Sequence, residues 1–99
     1  MQNRIESVRL FGERLAHHVA NGQTGRAAYL ALAADPTLPI NFSTEEAAAI
    51  VGVTGFAMAK RRARGQAPSY IAVSSKSVHY PRALFCEWLA SIFVDRSAA

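Results

Sequence analysis

The chain has 99 residues, 51% of them hydrophobic, and carries 11 Lys and Arg against 7 Asp and Glu. This length allows one small domain, and the hydrophobic content is too high, at so modest a charge, for intrinsic disorder. A single cysteine, Cys86, excludes an intrachain disulfide and is typical of a small buried hydrophobe. The N-terminus lacks the apolar region of a signal peptide, and no run is long enough to span a membrane, so we expect a cytoplasmic protein.

Positive charge is concentrated in one part of the chain. Residues 1–41 carry four arginines against three carboxylates. From residue 54 to residue 82 there is no Asp or Glu at all, and the six basic residues there are Lys60, Arg61, Arg62, Arg64, Lys76 and Arg82. A localised basic segment of this kind favours an anionic partner such as nucleic acid.

The first third of the chain predicts two helices. Apolar residues at helical spacing predict a helix over residues 3–20, which the Asn-Gly pair at 21–22 ends. Thr24 is positioned to cap a second helix over residues 25–34, whose apolar faces require burial on more than one side. Two prolines within residues 35–39 then predict a connector, since proline lacks the backbone N–H that a helix needs.

A helix, a tight turn and a second helix follow the connector. Ser43 and Glu46 have the spacing of a capping box, in which each side chain accepts a hydrogen bond from the other residue's backbone N–H. Gly52 supplies the residue at which the chain changes direction. Thr54 is positioned to cap the next helix, which ends at Gly65.

The last third predicts a hairpin and a final helix. Residues 70–73 and 77–80 are rich in β-branched and aromatic side chains and predict two strands, with Lys76 near the hairpin tip. The turn lacks the Gly or Asn that tight hairpins favour. Pro81 suits the first turn of a helix that runs to about Val94. Apolar residues cover more than one stripe of this helix, which implies either deep burial or a partner surface.

Five motifs carry a family resemblance: Ser43-Thr44-Glu45-Glu46-Ala47-Ala48, Gly52-Val53-Thr54, Lys60-Arg61-Arg62-Ala63-Arg64-Gly65, Pro68-Ser69-Tyr70, and Tyr80 with Leu84 and Trp88-Leu89. In this order they resemble the excisionase and MerR-like winged helix-turn-helix domains of bacteria and their mobile elements. The resemblance implies a mainly α fold with a small β-hairpin wing. It divides the chain into an N-terminal helical extension (1–41), a winged helix-turn-helix domain (42–94) and a frayed tail (95–99).

This sequence departs from the family pattern at two places. Family members commonly hold an aromatic residue, packed under the wing, where Arg61 stands. Their wing usually turns through Gly-Arg or Gly-Lys, where this chain has Ser74-Ser75-Lys76. Residues 1–41 have no counterpart in the minimal domain, and we expect them to pack on it or to dimerise it.

The resemblance also implies a function, the sequence-specific binding of double-stranded DNA by a small transcriptional regulator or excisionase-like factor. The second helix would enter the major groove, with Lys60 reading bases, Met58 and Val53 facing the core, and Arg62 and Arg64 contacting phosphates. The DNA-binding residues implied in this way are Thr54, Gly55, Phe56, Ala59, Lys60, Arg61, Arg62, Arg64, Lys76, His79 and Arg82.

Some of these assignments have an alternative. Phe56 either belongs to the core, with the second helix rotated, or contacts a thymine methyl group or a base step. His79 is a half-exposed strand residue unless the wing reaches the DNA, and Arg82 suits a phosphate because a helix start disfavours a cation. Taken alone, the KRRAR run at residues 60–64 would be a solvated helix face.

The function has an alternative as well. The same fold could serve as a protein-binding adaptor that assembles an integrase or occupies a host complex. One module has a limited footprint on DNA, so useful affinity would need a homodimer or a cooperative array. We expect no enzyme, cofactor or metal site: the adjacent His17 and His18 point in different directions, and no nucleophile triad or Gly-rich phosphate loop is present.

Overall fold

The structure is a computed structural model and describes residues 2–96. Its elements, in chain order, are α1 (Gln2–Ala20), α2 (Arg26–Ala33), β1 (Asn41–Phe42), α3 (Thr44–Val51), α4 (Gly55–Ala63), β2 (Ile71–Ala72), β3 (Val78–Pro81) and α5 (Arg82–Ile92). The predicted mainly helical fold with a small antiparallel sheet is confirmed. No helix within the described range is long and apolar enough to cross a membrane.

The start of α2 differs from the prediction. Its N-cap is Gly25, with φ of 56° and ψ of −130°, and no side chain caps the helix, so the cap predicted at Thr24 was wrong. A positive φ favours glycine. A Cβ at this position would also lie only 3.3 Å from the Phe93 ring. The chain therefore enters α2 through a glycine conformation that brings it close to the end of α5.

The two helix starts predicted at Ser43 and Thr54 are confirmed. The Ser43 N–H donates to the Glu46 carboxylate at 2.7 Å, and the Glu46 N–H donates to Ser43 Oγ at 3.1 Å. Gly52 adopts the left-handed conformation, with φ of 93°, between α3 and α4. Thr54 Oγ1 then accepts a hydrogen bond from the Ala57 N–H at 3.0 Å. Local sequence signals thus define both the start of α3 and the turn into α4.

The end of α4 is closed by Gly65, as the sequence indicated. Gly65 has φ of 69°, its N–H donates to the Arg62 carbonyl at 3.0 Å, and the Gln66 N–H donates to the Arg61 carbonyl at 2.9 Å. These two bonds form a Schellman motif, which satisfies carbonyls that have no partner inside the helix. The regular helix stops at Ala63, two residues before the glycine.

The three strands form one antiparallel sheet in the order β1-β3-β2. Phe42 lies opposite Tyr80, and Ile71 lies opposite His79. Both predicted strands are present: β2 is shorter than the predicted strand at 70–73, and β3 has the predicted length but lies one residue later than 77–80. The strand β1 was not predicted, because a two-residue strand has no periodicity and exists only through its pairing with β3.

A serine side chain stabilises the hairpin turn, which lacks the Gly or Asn that tight hairpins favour. Ser74 Oγ accepts hydrogen bonds from the backbone N–H groups of Lys76, at 3.2 Å, and Ser77, at 3.1 Å. Such side-chain bonds let Ser stabilise a turn. At the other end of β3, Pro81 is the last strand residue and the N-cap of α5, so its predicted place in the first turn of the helix was wrong.

One hydrophobic core runs through the molecule. Its largest fully buried side chains are Tyr80, Phe42, Phe85, Leu32 and Met58. Phe11 of α1 also packs edge-on against Phe42, with 6.1 Å between the ring centroids. The boundary predicted between residues 41 and 42 falls inside β1, and the described part of residues 1–41 contributes to the same core as the rest of the chain.

Candidate nucleic-acid interface

The rotation of α4 decides which side chains reach solvent. Met58 is fully buried, as predicted, whereas Phe56 is 74% exposed, so the core alternative for Phe56 was wrong. Lys60 and Ala63 are exposed on the same side. Val53 is 41% exposed, which corrects its predicted place in the core. It precedes the Thr54 cap, where the chain is still turning at the surface.

Phe56 and Lys60 form a pair on this outer side of α4. The Lys60 ammonium lies 5.4 Å from the centre of the Phe56 ring, within cation–π range. The two residues are four apart, so they are neighbours on the helix surface. The outer side of α4 therefore presents an apolar ring next to a cation.

A cleft brings α4 and the hairpin together. It lies between the starts of α3 and α4 on one side and β3 with its preceding turn on the other. Five predicted DNA-binding residues line it: Gly55, Ala59, Arg62, Lys76 and His79. The remaining lining residues are Ser43, Thr44, Glu45, Ser77 and Val78. Residues that lie some 20 positions apart in sequence thus share one concave surface.

Arg62 has partners inside the protein. Its guanidinium donates to the Tyr80 hydroxyl at 2.9 Å and to Thr44 Oγ1 at 3.4 Å, and it lies 5.7 Å from the centre of the Tyr70 ring. The side chain is half-buried. Arg62 therefore ties α4 to the sheet and to the start of α3, and it is the least free of the cations in the cleft.

Arg61 also has partners inside the protein. Its guanidinium lies 5.2 Å from the centre of the Trp88 ring, and its Nε donates to the Ala67 carbonyl at 2.8 Å. A planar guanidinium can stack on an aromatic face while it also bonds to the backbone. This packing gives Arg61 a structural role at the end of α4.

Arg82 is directed at the backbone of the N-terminal region. Its Nε donates to the Ala33 carbonyl at 3.2 Å, and its Nη1 donates to the Leu38 carbonyl at 3.0 Å. Ala33 is the last residue of α2, where carbonyls lack partners within the helix. These bonds hold α2 and the connector to the start of α5, and we leave Arg82 out of the candidate interface.

Of the six basic residues between residues 54 and 82, Arg61, Arg62 and Arg82 donate hydrogen bonds to other groups of the protein. The side chains of the other three, Lys60, Arg64 and Lys76, make no hydrogen bond or ion pair within the described part of the chain. Within residues 2–96, no Asp or Glu lies within ion-pair distance of Lys60, Arg64 or Lys76, whereas Arg9 and Arg14 are both ion-paired. All three free cations are exposed. Unpaired surface cations create a positive potential that attracts anions and is weakened by salt.

A buried polar cluster in the N-terminal region was missed by the sequence interpretation. Asp35, only 3% exposed, accepts hydrogen bonds from Arg14 Nε at 2.7 Å, from the Thr37 N–H at 2.9 Å and from the His18 ring at 2.8 Å. Arg14 and His18 are four residues apart on α1, and this spacing was the signal available in the sequence.

The environment of Asp35 changes its acidity. Burial by itself would raise the pKa of this carboxyl, but the hydrogen bonds from Arg14, Thr37 and His18 outweigh burial and hold the pKa well below its usual range. The carboxylate therefore stays charged at neutral pH.

The surroundings of Cys86 and of the potential metal ligands do not indicate a reactive site among the described residues. Burial raises the pKa of the Cys86 thiol to about 12, so the thiol is protonated and weakly nucleophilic at neutral pH. Among the described residues, no three His, Cys, Asp or Glu side chains are grouped so that they could hold a metal ion.

Comparison of the chain with protein-family models, with curated proteins and with solved structures finds no match.

Proposed function

We propose that this protein binds double-stranded DNA in a sequence-specific manner, as a winged helix-turn-helix protein. The observation that carries the proposal is a set of exposed cations on α4 and the hairpin. Lys60 of α4, Arg64 at its C-cap and Lys76, which lines the cleft between α4 and the hairpin, have no carboxylate partner in residues 2–96. A helix fits the major groove of B-DNA, and cations beside it neutralise phosphates.

The order of the elements supports this fold. From α2 to β3 the chain runs helix, strand, helix, helix, strand, strand, and the first strand pairs with the last in the order β1-β3-β2. This order is typical of winged helix-turn-helix domains, in which the second helix of the motif is the recognition helix. Here that helix is α4, which packs against α3 and leaves its outer side open.

Each residue of the interface has a distinct role in the proposal. Lys60 donates to acceptors on base edges, and Phe56 beside it contacts thymine methyl groups. Arg64 and Lys76 bind phosphates, which position the protein but carry no sequence information. Arg61 and Arg62 support the surface through Trp88 and Tyr80, and any phosphate contact they make is secondary.

Electrophoretic or fluorescence titration with duplex DNA tests the proposal. Wild-type affinity should fall steeply with salt, and loss of one phosphate contact should reduce the slope of log affinity against log salt by about 0.9. Lys60→Ala should weaken binding to a selected site by about 1–3 kcal/mol and relax its base preference. Arg64→Ala should weaken binding to all sequences alike.

Arg9→Ala is the matched control. Arg9 is an exposed arginine on α1 that already pairs with Glu6 and Glu13, so its removal changes net charge without touching the candidate interface. It should leave the salt slope unchanged. Absence of salt-dependent binding to any duplex by the wild-type protein would refute the DNA-binding proposal.

A second candidate, a protein-binding adaptor, is favoured by a different surface. An open apolar groove lies between α1, α2, α3 and α5, and Leu15, Ile50, Leu89 and Ile92 are among its lining residues. An exposed apolar groove is typical of a site for a partner helix. If no duplex binds, retention of a partner by the wild type and its loss in Ile92→Glu would support this function.

A further inference from the structure

The cleft between α4 and the hairpin contains one carboxylate, Glu45, among the residues that line it. Its neighbour Glu46 makes the capping box, which leaves Glu45 without that structural role. Glu45 is exposed, and its carboxylate makes no hydrogen bond or ion pair with any other residue in the described part of the chain. An unpaired acid thus lies within an otherwise basic surface.

The position of Glu45 relative to α4 is specific. A Cβ at Gly55, the first residue of α4, would lie 3.5 Å from Glu45 Oε2 and 3.9 Å from its Cγ. The Glu45 side chain therefore lies directly against the N-terminus of α4, in the space that the glycine leaves free. In a helix-turn-helix complex, the N-terminal residues of the recognition helix are those that contact base edges.

A carboxylate beside the start of α4 affects both the affinity for DNA and the selectivity among bases. It repels phosphates and so lowers affinity for every sequence. It can nonetheless add selectivity, because an ionised carboxylate accepts hydrogen bonds and donates none, so it favours a base edge that presents a donor. In the major groove, the cytosine N4 amino group is the donor that Glu and Asp recognise.

We propose that Glu45 is a specificity-determining residue that accepts a hydrogen bond from a cytosine N4 amino group at the base pair beside the start of α4. This inference rests on the proposed DNA-binding function. It extends base reading from α4 to a residue of α3, and it makes cytosine a required base at one position of the site.

Selection of bound fragments from a random duplex pool, carried out with wild type and variants, tests the inference. Wild type should select cytosine at one position, with a discrimination of about tenfold. In Glu45→Gln this preference should be lost or shift towards adenine, which glutamine recognises, while the other positions keep their bases. Glu13→Gln, a change at an exposed glutamate of α1, should leave every position unchanged.

The variant Glu45→Asp separates the effect of the negative charge from the effect of the side-chain length. It keeps the negative charge but shortens the side chain by one methylene, so the cytosine preference should fall while binding to random duplex stays as in wild type. Thermal unfolding of each variant is the check on folding, because a carboxylate near a helix N-terminus also interacts with the helix dipole.

Two results would overturn the inference. If Glu45→Gln tightens binding to all sequences alike and keeps the same selected site, Glu45 acts only through its charge. If the wild type binds no duplex, the proposed function fails together with the inference. The first result leaves salt-dependent binding by the wild type intact, so the two failures are distinguishable.

Discussion

Two polar regions of this protein treat their charges in opposite ways. In the N-terminal region, Asp35 is buried and bonded to Arg14, His18 and the Thr37 N–H. On α4 and on the hairpin, Lys60 and Lys76 are exposed and have no carboxylate partner within residues 2–96. In the first region the charged groups hold α1 to the connector that contains Asp35, whereas in the second the cations remain exposed to solvent and can contact an anion.

The difference shows that the position of a basic residue in the sequence does not reveal whether its side chain is bonded inside the fold or exposed. A buried charge needs partners because its desolvation is costly, whereas an exposed charge remains hydrated and costs little. Arg62 lies between these cases, since it borders the cleft but donates to Tyr80. Substitution of each group distinguishes a charge that holds the fold together from one that is exposed and without a partner.

The largest effect is expected from Asp35→Ala. The substitution leaves the partly buried Arg14 and His18 without their acceptor and should lower the free energy of unfolding by about 3–5 kcal/mol. Urea denaturation followed by circular dichroism measures the loss. Glu13→Ala, which breaks an exposed ion pair, should cost about 1 kcal/mol or less. Equal losses in the two variants would contradict the contrast between the regions.

The same carboxylate should make stability depend on pH. Because the folded-state pKa of Asp35 is lowered, its contribution is fully present above the unfolded-state pKa of about 3.9 and is lost as pH falls towards the folded-state pKa. Denaturation curves at a series of pH values should therefore show stability falling below about pH 4. In Asp35→Asn this acid dependence should be shallower, and a parallel profile would show that other groups cause it.

A smaller effect on stability is expected from Arg62→Met. The side chain keeps much of its volume but loses the bonds to Tyr80 and Thr44, which should cost about 1–2 kcal/mol. Chemical denaturation measures this cost, and DNA titration measures the salt slope. An unchanged stability together with a reduced slope would move Arg62 to the exposed, DNA-facing group.

The smallest effect on stability is expected from Lys76→Gln. Lys76 is exposed near the hairpin tip, so the free energy of unfolding should stay within about 0.5 kcal/mol of wild type. Its affinity for any duplex should nonetheless decrease, and the slope against log salt should fall by about 0.9. Reduced stability with unchanged binding would assign Lys76 to the hairpin structure instead.

Much of the α3 and α4 geometry could be predicted from short sequence patterns. Ser43 and Glu46 bond to each other's backbone, and Thr54 bonds to Ala57, so each partner lies within three residues. The same reasoning failed at Thr24, where the close approach of Phe93 from the far end of the chain accompanies a glycine cap. Local signals predict a feature only when its partners are local.

The sequence by itself determined the helix starts at Ser43 and Thr54, the turn at Gly52 and the absence of acids between residues 54 and 82. Only the tertiary structure decided which cations are free. Arg82 bonds to a carbonyl 49 residues away, and Arg62 bonds to a hydroxyl 18 residues away. Helix caps depend on neighbouring backbone groups, whereas the use of a long side chain depends on the acceptors that folding brings within its reach.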